Sequence, residues 1–155
     1  MDNKIKMLIM DVDGTLTDGK IYISQAGELF KAFNVKDGLG IVKARRENII
    51  PAIITGRNSP IVENRAKELG IEEVYQGVSD KSEQTKSLLK KYSLSFDEVA
   101  CMGDDENDIP IMKLCGLCGC PADAMQVVKN QCDYITQKNG GDGAVREFIE
   151  WILNR

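Results

Sequence analysis

The stretch Lys6-Met7-Leu8-Ile9-Met10-Asp11-Val12-Asp13-Gly14-Thr15 runs from unbroken apolar residues straight into a pair of acids and a glycine. A short apolar run without polar alternation reads as a strand covered on both faces, the mark of a parallel sheet sandwiched between helices. In extended backbone, residues two apart face the same side, so Asp11 and Asp13 can point together into one site at the strand's end. Gly14 then lets the chain turn sharply. Further runs that read as buried strands lie at Ile49 to Ile54, Glu73 to Tyr75 and Val99 to Met102, with weaker ones at Leu117 to Gly119 and Tyr134 to Thr136.

Helical patterns separate these runs. Ser59-Pro60 reads as a helix start and Gly70 as its end. Asp80 with Glu83 has capping-box spacing for a helix towards Tyr92, and helix-sized patterns cover Gly40 to Glu47 and Ala144 to Leu153. Strand and helix therefore alternate as an open, Rossmann-like α/β sheet of three layers requires. The exception is Ile21 to Phe33, which reads as two short strands, Ile21 to Ile23 and Leu29 to Phe33, around a Ser24-Gln25-Ala26-Gly27 turn. A β-hairpin is thus expected to protrude after the first strand, with residues 1–155 forming one domain.

Twenty-four acidic and 20 basic residues are interspersed and leave a net charge of −4, which argues against a nucleic-acid partner. No apolar run approaches the length of a membrane span, and no apolar leader is visible, so a cytoplasmic location is expected. The cysteines at 101, 115, 118, 120 and 132 fit reduced thiols in a core; Cys115 and Cys118 have CxxC spacing, but a second such pair and any histidine ligand are missing. The absence of histidine leaves carboxylates, hydroxyls, lysine and cysteine as the available chemistry.

Open α/β sheets place their sites at the carboxyl ends of strands, and four polar motifs follow four of the expected strands. These are Asp11-Val12-Asp13-Gly14-Thr15, Thr55-Gly56-Arg57, the segment from Gln76 to Lys81, and Gly103-Asp104-Asp105-Glu106-Asn107-Asp108. Bringing Asp104 beside Asp11 and Asp13 would raise their pKa values by mutual repulsion unless a cation intervened. Hard oxygen donors suit Mg²⁺. Lys81, the Thr55 hydroxyl and backbone amides would offset the charge of a phosphate. An aspartate carboxylate can take a phosphoryl group from an ester, which assigns Asp11 as nucleophile and Asp13 as acid, then base.

At these residues the chain resembles the haloacid dehalogenase superfamily, whose motifs are DxDGT, a Thr or Ser, a Lys, and a GDDxxD-like loop. The resemblance implies Asp11 as nucleophile, Asp13 as acid/base, phosphate contacts from Thr55 and Lys81, and Mg²⁺ held by Asp11, the Asp13 carbonyl and Asp104, with Asp105 and Asp108 in support. The spacing leaves no room for a cap domain. Capless members commonly close the site with a neighbouring subunit, so a homotetramer in which the hairpin makes contact is expected.

Within the superfamily the chain is similar to phosphatases of 3-deoxy-D-manno-octulosonate 8-phosphate and of related nonulosonate 9-phosphates. The resemblance rests on Gly19-Lys20-Ile21-Tyr22, Phe33-Asn34-Val35-Lys36-Asp37-Gly38, Tyr75-Gln76-Gly77 and Gly140-Gly141-Asp142-Gly143-Ala144-Val145-Arg146-Glu147. It implies substrate contacts from Asn34, Val35, Lys36, Asp37, Gly38, Gly56, Arg57 and Arg65, besides Asp13 and Lys81. An arginine at position 57 resembles the octulosonate enzymes, where a planar fork can grip a sugar carboxylate. The implied activity is hydrolysis of a keto-sugar acid phosphate, in the making of lipopolysaccharide or another surface glycan. Readings of another class are a phosphoacceptor module and a non-catalytic assembly module. Receivers, though, carry the acceptor aspartate on a middle strand, and here DxDGT comes first.

Overall fold

The computed structural model describes residues 4–155; of the expected 1–155 domain span, residues 1–3 lie outside it. Six parallel strands form the main sheet: β1 (Met7–Met10), β4 (Ile50–Ile54), β5 (Glu73–Tyr75), β6 (Val99–Met102), β7 (Leu117–Cys120) and β8 (Tyr134–Ile135). Their order is β5-β4-β1-β6-β7-β8. The chain moves outward from β1 through β4 to β5, then crosses back to β6 on the other side of β1. That reversal makes the β1/β6 junction the topological switch point, where crevices open at the carboxyl ends of strands.

β1 shows why both faces must be covered: Leu8 and Met10 pack in one core, Met7 and Ile9 in the other. On the first face lie α1 (Val35–Arg46), α2 (Pro60–Leu69) and α6 (Ala144–Leu153), anchored by Ile41, Val62, Phe148 and Ile149. On the second lie α3 (Lys81–Tyr92), α4 (Ile109–Met112) and α5 (Gln126–Lys129), through Leu88, Ile111 and Val128. The three-layer α/β architecture expected from the sequence is therefore present, and no cap is inserted among the described residues. All five cysteines are free thiols, three of them buried, and Cys101 and Cys118 pack in the second core. Cys115 lies beside Cys101, and Cys118 beside Cys132.

Three local expectations are corrected. Helix α1 starts at Val35, not Gly40, with the Asn34 side chain accepting from the Lys36 N–H at 2.8 Å. Gly38 and Gly40 weaken the helical signal, yet both sit tightly against neighbours: a Cβ on Gly38 would lie 2.6 Å from the Arg65 guanidinium, and one on Gly40 would lie 2.9 Å from the Arg146 side chain. At Asp80, one arm of the box forms, with the carboxylate accepting from the Glu83 N–H at 3.1 Å; the Glu83 side chain instead bonds Lys86. The hairpin is tighter than expected, with β2 (Tyr22–Ser24) and β3 (Gly27–Phe30) around a short turn.

Candidate active site

Asp11 follows β1 directly, and its N–H still donates to the Met102 carbonyl of β6 at 3.1 Å, so the carboxylate is held at the switch point. The Val12 carbonyl then accepts from the N–H groups of Thr15, Leu16 and Thr17, closing a tight loop. Gly14 sits in that loop with φ of +89°, and an added Cβ would fall 1.9 Å from Asp104 Oδ2. Glycine is required here twice, for the left-handed backbone and for the approach of the β6 loop. Gly140 buttresses the same loop from the other side: its Cβ would lie 2.0 Å from the Gly14 carbonyl oxygen, so the glycine-rich segment before α6 is a packing partner of the site.

Asp11, Asp13, Thr55, Gly56, Arg57, Asp104, Asp105 and Asn107 line one cavity of about 160 Å³. Residues from the ends of β1, β4 and β6 thus converge as the sequence predicts. Asn107 was not among the expected residues, and no spacing signal distinguishes it from its acidic neighbours.

Lys81, the first residue of α3, is buried between two carboxylates. Its Nζ donates to Asp11 Oδ1 at 3.0 Å and to Asp108 Oδ1 at 2.7 Å. Burial works to lower its pKa, but Asp11 and Asp108 outweigh that and hold it above the usual lysine value. Burial raises the Asp11 carboxyl pKa, as does the Asp108 charge, while Lys81 opposes both. Asp108 does more than stand beside the site: its second oxygen accepts from the N–H groups of Asp104 at 2.9 Å and Asp105 at 3.3 Å, which fixes the loop's shape.

One oxygen from each of Asp11, Asp104 and Asp108 lies within 4.8 Å of the others. Both oxygens of Asp108 are engaged by Lys81 and backbone, whereas Asp104 Oδ1 is buried with no hydrogen-bond partner. A divalent cation taking Asp11 and Asp104 fits this donor set, since a buried carboxylate oxygen left unpaired is costly.

Without a cation, Asp104 is pushed up to about 8, first by burial and then by the charges of Asp11 and Asp108. Ionising it is costly in the fold and ordinary in the unfolded chain. The folded state therefore keeps an extra proton between the usual value of 3.8 and about 8, and the stability of metal-free protein falls as pH rises through that window. Mg²⁺ favours the charged form, so it should raise the melting temperature little at pH 5 and by several degrees at pH 8. Equal shifts at the two pH values would contradict this assignment.

The other expected substrate contacts lie apart from this cavity. Asn34, Asp37, Gly38 and Arg65 line a small apolar cavity with Val12, Phe33 and Ile41. Asp37 is buried and its Oδ1 accepts from the Arg146 N–H at 2.9 Å, capping the start of α6. Arg65 lies over the Phe33 ring, 5.7 Å from its centroid. Val35 is 80% exposed, and Lys36 is exposed beside it.

Residues 72–149 match the family model described as haloacid dehalogenase-like hydrolase. Over 149 residues the chain is 47% identical to the 3-deoxy-D-manno-octulosonate 8-phosphate phosphatase of Salmonella typhi, a stretch covering 96% of this chain and 79% of that protein. The crystal structure of the 3-deoxy-D-manno-octulosonate 8-phosphate phosphatase from Moraxella catarrhalis, in complex with magnesium ion, phosphate ion and KDO, matches with a TM-score of 0.95 and 42% identity. That match covers 99% of this chain and 88% of the other. The cobalt-bound deoxy-D-mannose-octulosonate 8-phosphate phosphatase of Haemophilus influenzae matches with a TM-score of 0.95 and 39% identity, over 98% of this chain and 89% of that one.

Proposed function

The chain belongs to the haloacid dehalogenase-like hydrolases, and on that premise we propose that it hydrolyses 3-deoxy-D-manno-octulosonate 8-phosphate to the free sugar acid and phosphate with the help of Mg²⁺. The observation that carries the reading is the meeting of Asp11, Asp13, Thr55, Arg57 and Asp104 around one cavity, with Lys81 paired to Asp11.

Asp11 attacks phosphorus, forming an O–P bond as the bond to the sugar oxygen breaks, and Asp13 gives that oxygen its proton. Asp13 then takes a proton from the water that attacks the aspartyl-phosphate, which returns Asp11 as a carboxylate. Lys81 works against the rise in pKa that burial and Asp108 give Asp11, and adds positive charge beside the phosphate. Thr55 and the backbone of Gly56 contribute polar groups at the end of β4. Mg²⁺ held by Asp11, the Asp13 carbonyl and Asp104 would neutralise the phosphoryl oxygens and let two anions approach. Asp105 and Asp108 shape the loop that presents Asp104. Arg57, half exposed at the cavity, would grip the carboxylate of the sugar acid with its planar fork.

A homotetramer is part of the proposal. Ile23 (65% exposed), Leu29 (58%), Phe30 (50%) and Val35 (80%) are exposed apolar residues on and beside a two-stranded hairpin, which by itself is only marginally stable. A neighbouring subunit covering this face would also bring partner groups towards the cavity, and Asn34, Val35, Lys36, Asp37, Gly38 and Arg65 are proposed to reach substrate in that setting.

The test is phosphate release from the octulosonate 8-phosphate beside a nonulosonate 9-phosphate, with and without Mg²⁺, and light scattering on the same preparation. Magnesium-dependent preference for the octulosonate is expected. Preference for the nonulosonate would move the substrate, and a monomer alone would remove the assembly.

A further inference from the structure

We propose that Lys31, at the base of the hairpin, is a positioning residue for the acid/base Asp13, holding one carboxylate oxygen so that the other faces the reacting ester. The proposal rests on the phosphatase reading above. Lys31 follows Leu29 and Phe30, which are 58% and 50% exposed, yet its own side chain is only 5% exposed. Its Nζ donates to Asp13 Oδ1 at 2.6 Å and bonds Glu28 Oε1 at 3.0 Å. The second Glu28 oxygen accepts from the Ser59 hydroxyl at 2.6 Å, and the Ser59 N–H donates to Gln76 at 2.8 Å. Asp13 is thereby tied through Lys31 and Glu28 to the start of α2, outside the hairpin.

Ser59 makes no side-chain hydrogen bond to its own helix, and its hydroxyl donates to Glu28 instead. Burial of the Lys31 ammonium works against its charge, and Asp13 and Glu28 more than compensate. Lys31 does not line the cavity, so it acts through Asp13 and not on the substrate. The only other cation near Asp13 among the described residues is Arg57, 3.9 Å from Oδ2 and 53% exposed, a weaker and water-screened hold. With Oδ1 fixed, Oδ2 is left on the side of Arg57 and the cavity, which is where a proton must pass to the leaving oxygen. A short charge-assisted bond in a buried setting sets orientation as well as charge.

The experiment compares kcat/KM for an alkyl ester, the octulosonate 8-phosphate, with that for p-nitrophenyl phosphate, whose departing phenolate needs no proton. Both report the steps up to phosphoryl transfer, so hydrolysis of the intermediate does not enter. A positioned general acid contributes roughly 10²-fold or more, so Lys31→Met should lower the sugar-phosphate value by ~30-fold or more and the aryl value by less than ~5-fold. Lys31→Arg should recover most of the difference. Equal losses on both substrates, following a lowered melting temperature, would mean that Lys31 only anchors the hairpin and would overturn the proposal. Should Lys31→Met not fold, Glu28→Gln, which loosens Lys31 from its second anchor, should show the same bias at smaller size; no bias there overturns it equally. A wild type inert on both esters would instead remove the phosphatase reading itself.

Discussion

Asp11→Asn is expected to abolish phosphate release, lowering kcat on the order of 10⁴-fold or more, as removal of a covalent nucleophile does elsewhere. The loss should come without unfolding. The amide has nearly the shape of the carboxylate and can still accept from Lys81, and it removes one negative charge from a cluster in which Asp11, Asp104 and Asp108 crowd within 4.8 Å. The two effects oppose each other, since losing a partner for Lys81 costs what relief of repulsion returns, and the melting temperature should move by only a few degrees. Phosphate release and thermal melting of the same sample test both halves. Residual turnover above about one per cent of wild type would shift the nucleophile away from Asp11.

The reason so much of this site is legible in the sequence is that its parts lie at strand ends, where a buried strand stops and a polar motif begins. The run Met7 to Met10 fixes where Asp11 stands, and Val99 to Met102 does the same for Asp104. Glu73 to Tyr75 coincides with the observed β5, because the short stretch between the helix-ending Gly70 and the Gly77 turn leaves little room for another boundary. Where the sequence misleads, tertiary packing overrides local preference. Gly38 and Gly40 speak against a helix by propensity, yet they let α1 approach Arg65 and α6, so the helix begins five residues before the pattern does.

Side-chain networks are less legible than elements. Lys31 lies 18 residues from Asp13 along the chain, and no periodicity links a hairpin lysine to an acid in the preceding loop. Asp108 follows the same logic: its place in the acidic motif is visible, but its simultaneous hold on Lys81 and the Asp104 N–H depends on how α3 and the β6 loop meet. Asp37 is a further case. A resemblance carries it as a substrate contact, and burial against the start of α6 gives it a structural task besides.

Lys81→Met should be strongly destabilising. Methionine matches the volume of the lysine stem, so packing is largely kept, and what disappears is the cation between Asp11 and Asp108, whose side chains are 9% and 4% exposed. Breaking a buried pair by removing one partner typically costs about 3–5 kcal/mol, because the remaining charge is left uncompensated. Here two carboxylates of like charge remain, so the cost has a definite pH dependence. Burial and Asp108 already raise the Asp11 pKa while Lys81 restrains it, and without Lys81 the carboxyl rises further. A carboxyl with a raised folded pKa is tolerated when protonated, and the penalty accumulates as pH rises through that pKa. The variant should therefore lose most stability near pH 8 and regain part of it near pH 5, and adding Asp108→Asn should restore part of the loss at pH 8 by removing the repelling partner. Chemical denaturation of the single and double variants at both pH values measures this; a loss below about 1 kcal/mol, the same at each pH, would show that Lys81 is not the charge that holds these carboxylates together.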